Sequence, residues 1–445
     1  MTPEPTHDAP SDAPLPSSKP VFLRRVQIRN YKSIAFCDVT LEPLTILVGR
    51  NATGKSNFLD ALGFLRDLME MRATDAVNAR KGWRSIHLRD STSPRIEMRI
   101  QAVFESQHSQ WDADYSFALE AVEHKYIRVH YEELTLKQHG VSRECGFSYR
   151  NDTLSWTGQV YFNDSSFRNL SDGTAAHPEF FTRLRSARLL LSIIGYQPFL
   201  DFSESLRVSR FYNFSPEDIR QPQQPLLESF LMPNGSNLAS VYKATKAADP
   251  DAVKRAKRYL NAIAPSVEFV DVVPSGGHEV MEFDTSGNVD DWNGPLRKAD
   301  RFPAASMSDG TLRAFAALMA AFQTVNPYGS PSLVAIEEPE TALHPAAMRA
   351  LVAALDEATW RTQILITTHS PDLLDGEEVK PANVRIVQLV DGHTVIGPVD
   401  EASVEIVKRE LNTLAGLERG DQLFPDLDDQ DRQKLLARNE SGVPA

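Results

Sequence analysis

The residues Gly49–Ser56 carry the chemistry that the rest of the chain has to position. They read Gly-Arg-Asn-Ala-Thr-Gly-Lys-Ser, with a glycine at each end of a four-residue spacer and a Lys-Ser pair after it. This spacing is typical of a loop whose backbone amides surround a polyphosphate. We expect Lys55 to reach the β- and γ-phosphates of a nucleotide and the Ser56 hydroxyl to bind Mg²⁺. The predicted phosphate-contacting residues are Gly49, Arg50, Asn51, Ala52, Thr53, Gly54, Lys55, Ser56 and Asn57.

Two later apolar runs end in side chains that suit hydrolysis of a phosphate bond. The run 332–336 reads as a buried strand and is followed by Glu337 and Glu338. A carboxylate at this place can hold Mg²⁺ through water, which we assign to Glu337, and its neighbour Glu338 can orient or deprotonate the attacking water. The run 364–368 is a second buried strand, and it ends in His369, which can hydrogen-bond a γ-phosphate.

A second anion-binding loop precedes the apolar helix predicted for 312–322. Ser308, Asp309 and Gly310 lie where the positive end of that helix favours a phosphate. One nucleotide cannot occupy two separate loops of one small subunit. We therefore expect this loop to cap ATP that is held by another copy of the chain, which predicts a homodimer or a higher oligomer.

Together these motifs resemble the ABC-type ATPases of the RecF, SMC and OLD group, in which ATP is sandwiched between two heads. The motifs that carry the resemblance are Gly49–Ser56, Ser308-Asp309-Gly310-Thr311, Glu337-Glu338-Pro339-Glu340 with Leu343-His344-Pro345, and His369-Ser370-Pro371. Asn30-Tyr31-Lys32-Ser33 is similar to the first turn of that group, which implies that Lys32 lies near the phosphates. The resemblance implies ATP and Mg²⁺ as cofactors, Glu338 and His369 as catalytic residues, and Ser56 and Glu337 as metal ligands.

The chain departs from the pattern of this group at three points. Ala52 and Thr53 replace the usual Gly-Ser pair, which stiffens the loop slightly. Glu337 stands where ABC proteins more often have aspartate. The ABC-type pattern also includes a loop named for its glutamine, the Q-loop, and we assign no residue of this sequence to that glutamine.

The elements around the motifs predict an α/β fold, namely a P-loop NTPase head of the ABC type with a mixed sheet, an antiparallel β-lobe and a helical insertion. The run 44–48 reads as the strand before the loop, and apolar residues from Phe58 to Met69 recur at helical spacing after it. Residues 76–95 are polar and basic, which predicts an irregular loop. Strict alternation from Ile96 to Phe104 begins the β-lobe, whereas helical spacing begins at Pro178 and returns at 237–247 and 250–263.

Five segments follow from these patterns. They are a disordered leader at 1–20, the N-terminal part of the head with the β-lobe at 21–165, a mainly helical insertion at 166–294, the C-terminal part of the head at 295–400, and a C-terminal helix with an acidic tail at 401–445. The helix in the last segment is predicted near 404–414. No strand precedes the acidic pair Asp426 and Asp428, so we expect no nuclease domain after His369.

Composition limits the kinds of molecule that the chain is expected to bind. A net charge of −13 argues against a chain that coats nucleic acid non-specifically, so any contact with DNA has to be local. The best candidates are Lys254, Arg255, Lys257 and Arg258, and a solvated helix face is the simpler interpretation of these four. No apolar run is long enough for a membrane span, and the N-terminus lacks the pattern of a secretory signal, which predicts a cytoplasmic protein without membrane contact.

The predicted function is an ATP hydrolase that dimerises around ATP and gates a separately encoded effector, such as a nuclease, in DNA-directed anti-phage defence. Two alternatives stay open. The first is a RecF-like DNA-binding ATPase of repair or recombination, and the second is an ATP-dependent scaffold protein. The lack of a nuclease in this chain and its acidic balance favour the gating function.

Overall fold

A computed structural model describes residues 22–122, 126–150, 153–157, 188–226, 230–267, 269–285, 300–324 and 330–427. The predicted leader, the start of the helix predicted from Pro178 and most of the acidic tail lie outside these residues. The strands are β1 Leu23–Tyr31, β2 Ile34–Thr40, β3 Leu44–Val48, β4 Arg95–Ser106, β5 Ser109–Val122, β6 Tyr126–Gln138, β7 Glu144–Arg150, β8 Thr153–Thr157, β9 Arg210–Tyr212, β10 Phe269–Ser275, β11 His278–Thr285, β12 Asp300–Pro303, β13 Leu333–Glu337, β14 Gln363–Thr368, β15 Val384–Val390 and β16 His393–Pro398.

Helices connect and cover these strands. They are α1 Lys55–Glu70, α2 Ala73–Ala79, α3 Trp83–Ile86, α4 Phe199–Arg207, α5 Pro216–Arg220, α6 Leu238–Ala248, α7 Pro250–Ile263, α8 Asp309–Phe322, α9 Pro345–Ala358, α10 Glu401–Lys408 and α11 Leu414–Arg419. Short 3₁₀ turns lie at Leu191–Ile193, Ala304–Ser306, Pro371–Asp375 and Pro381–Asn383.

A six-stranded mixed sheet forms the centre of the fold, in the order β16-β15-β3-β14-β13-β9. All neighbours are parallel except the hairpin β15–β16. The middle strands β3 and β14 are buried throughout, which explains why they read as continuous apolar runs. Since β3, β14 and β13 are adjacent and parallel, their carboxyl ends meet at one edge of the sheet, which is where α/β folds bind ligands.

The antiparallel β-lobe is a seven-stranded sheet in the order β2-β1-β4-β5-β6-β7-β8. The alternating pattern predicted for Ile96 to Phe104 is present in β4, whose residues alternate between buried and more exposed positions. Helix α1 contributes to the same core as this sheet, with Phe58, Phe64 and Leu68 fully buried. The lobe and the phosphate-loop helix therefore share one apolar interior, which fixes the direction in which α1 leaves the loop.

Three expectations about local structure were wrong in detail. Residues 76–95 contain the end of α2 and all of α3, because Ala76, Val77 and Ile86 find apolar partners in the core. Leu191 lies in a 3₁₀ turn and not in a helix. The helix predicted near 404–414 is two helices, α10 and α11. The insertion, in which helices α4 to α7 lie, also supplies β9 to the central sheet and forms most of a three-stranded sheet, β10-β11-β12.

Candidate nucleotide-binding site

The phosphate loop joins β3 to α1 and presents a row of free backbone donors. Gly49 follows the last residue of β3, and Gly54 precedes the first turn of α1 with φ of 105°. Among the described residues, no protein group accepts a hydrogen bond from the backbone N–H groups of residues 50–56. Unpaired amides at the start of a helix, where the helix dipole is positive, form an anion-binding site.

The Lys55 side chain is folded into this loop. Its ammonium donates to the backbone oxygens of Gly49 at 2.6 Å and Arg50 at 2.9 Å, and the residue is 6% exposed. Burial lowers the pKa of Lys55, and the nearby carboxylates of Glu338 and Glu340 act in the opposite direction. The lysine is therefore a buried cation bound to carbonyl oxygens, and phosphate oxygens can replace these weaker acceptors.

The two predicted metal ligands lie side by side. The Ser56 hydroxyl donates to a carboxylate oxygen of Glu337 at 2.6 Å, although the two residues are 281 positions apart in the chain. Ser56 lies in the first turn of α1, and Glu337 is the last residue of β13. A hydroxyl and a carboxylate next to a phosphate site are the oxygen ligands that Mg²⁺ takes together with phosphate and water. The residues present fit this ion.

The predicted catalytic pair is also assembled. His369 Nδ1 lies 3.1 Å from Glu338 Oε1, and both side chains remain more than one-third exposed. Glu338 has φ of 43°, and its backbone N–H donates to the Thr367 oxygen at 3.1 Å. This left-handed conformation turns the chain at the end of β13 and is held by β14. The carboxylate of Glu338 is thus accessible to water and oriented by a neighbouring imidazole.

A further carboxylate lies behind this pair. Glu340 is 2% exposed, and the Thr368 hydroxyl donates to one of its oxygens at 2.5 Å. Its other oxygen has no partner among the described residues. Burial raises the pKa of Glu340. The sequence placed Glu340 within the acidic motif but assigned no role to it.

The hairpin β15–β16 explains why the loop needs its glycines. A Cβ on Gly49 would overlap the backbone oxygen of Val387, and a Cβ on Gly54 would overlap the Thr394 hydroxyl. Ala52 adopts φ of 64°, a left-handed conformation at the position where the related ATPases have glycine. Thr394 is fully buried against the loop and was absent from the predicted site. The Asp391-Gly392 pair is typical of a hairpin turn, but nothing in the local sequence indicates what the hairpin touches.

The remaining polar residues of the loop are held by short-range and long-range contacts. The Thr53 hydroxyl donates to the Arg50 oxygen at 2.9 Å, and the Asn57 amide donates to the Ser33 hydroxyl at 2.6 Å. Asn51 is exposed. Arg50 is exposed as well and forms an ion pair with Asp421, which follows α11. This last contact comes from a part of the chain that the sequence did not connect with the loop.

Lys32 has a carboxylate partner in this structure. Its ammonium lies 2.6 Å from Asp60 Oδ2 on α1, and Asp60 also accepts hydrogen bonds from Tyr31 at 2.6 Å and Arg80 at 3.0 Å. Asp60 lies about one helical turn after Ser56. A contact of Lys32 with phosphate stays a prediction, and it requires the side chain to leave Asp60.

Ser308, in the loop predicted to bind a second anion, caps α8, and anion binding at this loop stays a prediction. The Ser308 hydroxyl caps α8 by accepting from the Thr311 N–H at 3.2 Å, and Ser308 and Asp309 are exposed. Arg220 binds the Asp309 carboxylate and donates to the Met307 oxygen at 2.9 Å. In the described part of the chain, no hydrogen bond or ion pair joins residues 308–310 to the phosphate loop. Ser308 and Asp309 therefore face away from their own subunit's interior.

The four basic residues of α7 are largely engaged by protein groups. Lys254 contacts Asp251 at 2.9 Å, Arg258 contacts Glu357 at 2.6 Å, and Arg255 lies 3.7 Å from Asp249. The Lys257 ammonium lies over the Tyr242 ring at 5.6 Å. Such pairing fits the simpler interpretation of a solvated helix face, and DNA binding by this helix stays a prediction.

No helix in the described ranges combines the length and the apolar character that crossing a bilayer requires.

Comparison with known proteins agrees with the motifs. Residues 44–375, more than half of the chain, match the family described as "AAA domain, putative AbiEii toxin, Type IV TA system". The "DNA replication and repair protein RecF" of Arthrobacter sp. (strain FB24) is 39% identical over 64 residues, which are 14% of this chain and 16% of that protein. RecF of Paenarthrobacter aurescens (strain TC1) is 35% identical over 89 residues, 18% of this chain and 22% of that protein. The chain thus matches less than a quarter of the length of either relative.

Among solved structures, the chain is similar to two SMC heads. An SMC head bound to the C-terminal winged-helix domain of ScpA superimposes with a TM-score of 0.49 at 11% identity, covering 86% of this chain and 99% of that one. The SMC head domain from Thermotoga maritima gives a TM-score of 0.42 at 11% identity, covering 85% and 100%.

Proposed function

Because this chain belongs to the family described as "AAA domain, putative AbiEii toxin, Type IV TA system", we propose that it binds and hydrolyses ATP. We further propose that two copies close around ATP and that this change gates a separately encoded effector protein.

The convergence of five side chains at one sheet edge carries this proposal. Lys55, Ser56, Glu337, Glu338 and His369 come from three separate stretches of the chain and meet where β3, β13 and β14 end. The loop amides and Lys55 provide the positive charge that a triphosphate needs. Ser56 and Glu337 would hold Mg²⁺, which neutralises charge on the phosphate oxygens when it is bound.

Glu338 is the best candidate for the group that acts on water. Its carboxylate can accept a proton or a hydrogen bond from a water molecule that approaches the terminal phosphate. His369 holds the carboxylate oxygen at 3.1 Å and is itself partly exposed, so it can contact the same phosphate. Lys55 and the loop amides keep the phosphate in place during the attack.

The position of Ser308 supports a second copy of the chain as the partner. Ser308 caps α8 and is exposed, and the described contacts of its loop involve Arg220 and the segment after Glu340 rather than the phosphate loop. An exposed helix N-terminus with a hydroxyl suits the terminal phosphate of ATP held by another subunit.

The proposed effector is supported by the family description, whose words "toxin" and "TA system" denote a two-component arrangement. The described residues form an ATPase fold and contain no group of three or more histidine, cysteine or carboxylate side chains that could hold a metal ion of a nuclease. An ATPase that acts through a separate protein agrees with both observations, and anti-phage defence is the setting that we propose for it.

Substitution of Lys55 tests ATP binding. Lys55→Ala should raise the Kd for ATP-Mg²⁺ by about 10- to 100-fold, since a charge-assisted contact to phosphate is lost. Isothermal titration with the purified full chain measures this change. Lys254→Ala is the matched control, because it removes a lysine that is exposed and contacts Asp251. Equal ATP affinity in the wild type and Lys55→Ala would refute the assignment of the loop.

A further inference from the structure

A chain of hydrogen-bonded side chains connects the hairpin β15–β16 with the phosphate loop. The Thr394 hydroxyl lies 2.8 Å from the backbone oxygen of Thr53 and 2.7 Å from the Ser33 hydroxyl. Ser33 in turn lies 2.6 Å from the side-chain amide nitrogen of Asn57. Thr394 is fully buried, so water cannot replace these partners without a rearrangement. The four residues belong to the first turn, the loop, α1 and β16.

The donor and the acceptor of each hydrogen bond in this series follow from the chemistry of the groups at its two ends. The Thr53 carbonyl can only accept, so Thr394 uses its one proton there. Ser33 must then donate to the Thr394 oxygen, because that hydroxyl has no proton left. The Asn57 amide nitrogen can only donate, so it donates to Ser33. The result is a one-way sequence from Asn57 through Ser33 and Thr394 to the Thr53 carbonyl, in which each bond polarises the next.

The Thr53 carbonyl matters because of the amide on the other side of its peptide bond. In a planar trans peptide, the C=O and the following N–H point in opposite directions. A Thr53 carbonyl that is held against the hairpin therefore turns the Gly54 N–H away from the hairpin. Among the described residues, the Gly54 N–H donates no hydrogen bond to a backbone oxygen. It is one of the free donors of the loop.

We propose that Thr394 is a positioning residue of the ATP site. Its hydroxyl holds the Thr53–Gly54 peptide so that the Gly54 N–H faces the phosphates of the bound nucleotide. Gly54 has φ of 105°, and a Cβ at this position would overlap the Thr394 hydroxyl. The close approach of the hairpin thus explains the glycine, and the hydroxyl uses the space that the missing side chain leaves. This inference rests on the proposed ATP binding.

Removal of the Thr394 hydroxyl at nearly constant volume tests the proposal. Thr394→Val should raise the Kd for ATP-Mg²⁺ about tenfold, because the peptide is no longer held and one phosphate donor is lost part of the time. Thr394→Ser keeps the hydroxyl and should stay within about twofold of the wild type. In steady-state assays KM should rise more than kcat falls, since the loop contacts the phosphates in both the ground state and the transition state.

Thr362→Val is the matched control for stability. Thr362 is also buried, at 1% exposure, and its hydroxyl also donates to a backbone oxygen, that of Pro331 at 2.6 Å. We expect Thr362→Val to lower the melting temperature as Thr394→Val does, and to leave the Kd for ATP unchanged. A loss of affinity that merely follows stability would appear in both variants and would overturn the proposal.

Ser33→Ala tests the same series of hydrogen bonds independently if Thr394→Val does not fold. It removes the donor to the Thr394 oxygen, so it should raise the Kd about threefold and have little added effect in combination with Thr394→Val. If the wild type binds ATP and Thr394→Val has the same Kd, the positioning role is refuted and the proposed function is not. Where only Ser33→Ala folds, an unchanged Kd in that variant has the same meaning. No ATP binding by the wild type would refute the proposed function itself.

Discussion

At the scale of single residues, the site is a set of charged groups whose neighbours keep them ready for a phosphate. Lys55 is buried and bound to carbonyl oxygens of its own loop. Glu338 is accessible and bound to His369, whereas Glu340 is buried and has one oxygen without a partner among the described residues. Two carboxylates only two positions apart thus have different environments, and this difference supports our proposal that Glu338 is the one that acts on water.

Glu338→Gln should separate hydrolysis from binding. The amide keeps the size of the side chain and can still accept from His369, but it cannot take a proton. We expect the hydrolysis rate to fall by about 10²–10⁴. ATP affinity should not fall, since a negative charge near the phosphates is removed. Phosphate release and ATP titration measure the two effects, with Glu377→Gln as an exposed control. Unchanged hydrolysis in Glu338→Gln would remove Glu338 from its catalytic role.

At the scale of elements, a buried carboxylate joins the β-lobe to the segment that precedes α4. Glu132 on β6 is 1% exposed and accepts hydrogen bonds from the backbone N–H of Leu191 at 2.9 Å and from Tyr115 at 2.8 Å. The Leu190 N–H donates to its other oxygen at 2.5 Å. Burial raises the pKa of Glu132 to about 7 in spite of these three donors. Glu132 is therefore a buried carboxyl group of the lobe whose pKa lies near neutral pH.

The stability of the chain should depend on pH through Glu132. Its pKa is raised in the folded state, so between about pH 4.5 and pH 7 the folded chain holds a proton that the unfolded chain has lost. Its contribution to the free energy of unfolding is therefore full below this window and declines as the pH rises through it. Urea unfolding at pH 5 and pH 7.5 should show a smaller difference in Glu132→Gln than in the wild type.

Glu133→Gln is the control for this experiment, because Glu133 is the next residue of the strand and contacts the exposed Arg150. Glu132→Gln should also be less stable at pH 5 by about 1–3 kcal/mol, since its amide nitrogen cannot accept from a backbone N–H. The same pH dependence in Glu132→Gln and the wild type would show that other groups cause it.

At the scale of the whole molecule, the proposed mechanism requires two copies. Residues 50–52 and Ser56 of the phosphate loop are exposed, as are Ser308 and Asp309, and no hydrogen bond or ion pair between the two loops is found in the described ranges. A second region also borders the phosphate loop. Arg419 on α11 binds Asp372 and Asp375, which follow His369, and Asp421 binds Arg50. Helix α11 thus contacts the segment after His369, and the turn that follows the helix contacts the phosphate loop.

Assembly around ATP is measurable in a variant that cannot hydrolyse it. Glu338→Gln with ATP-Mg²⁺ should form a two-head assembly that mass photometry detects, and Ser308→Arg in the same chain should prevent it because the long side chain fills the capping loop. Ser308→Ala is the control for the lost helix cap, which by itself costs about 1 kcal/mol. If ATP leaves the mass of Glu338→Gln unchanged, the transient sandwich fails, and a constitutive dimer held by other surfaces becomes the alternative.

Much of the architecture was evident in local sequence patterns. The strand before the phosphate loop and the helix after it were predicted correctly, because a buried parallel strand and an amphipathic helix have their own periodicities. Helix α7 was predicted with its observed ends, since Asp249 caps it and Pro250 begins it. The order of the motifs along the chain was also enough to predict the family.

Only the tertiary structure decided which distant residues complete the site. Thr394 lies 341 positions from the carbonyl that it holds, and Asp421 lies 371 positions from Arg50. Neither residue belongs to a motif, because a single hydroxyl or carboxylate has no characteristic spacing. Lys32 shows the converse case, since its motif implied phosphate and its nearest partner is Asp60. Such contacts depend on how the hairpin, the region around α11 and the first turn pack on the loop. Packing between segments so far apart in the chain produces no periodic pattern in the sequence.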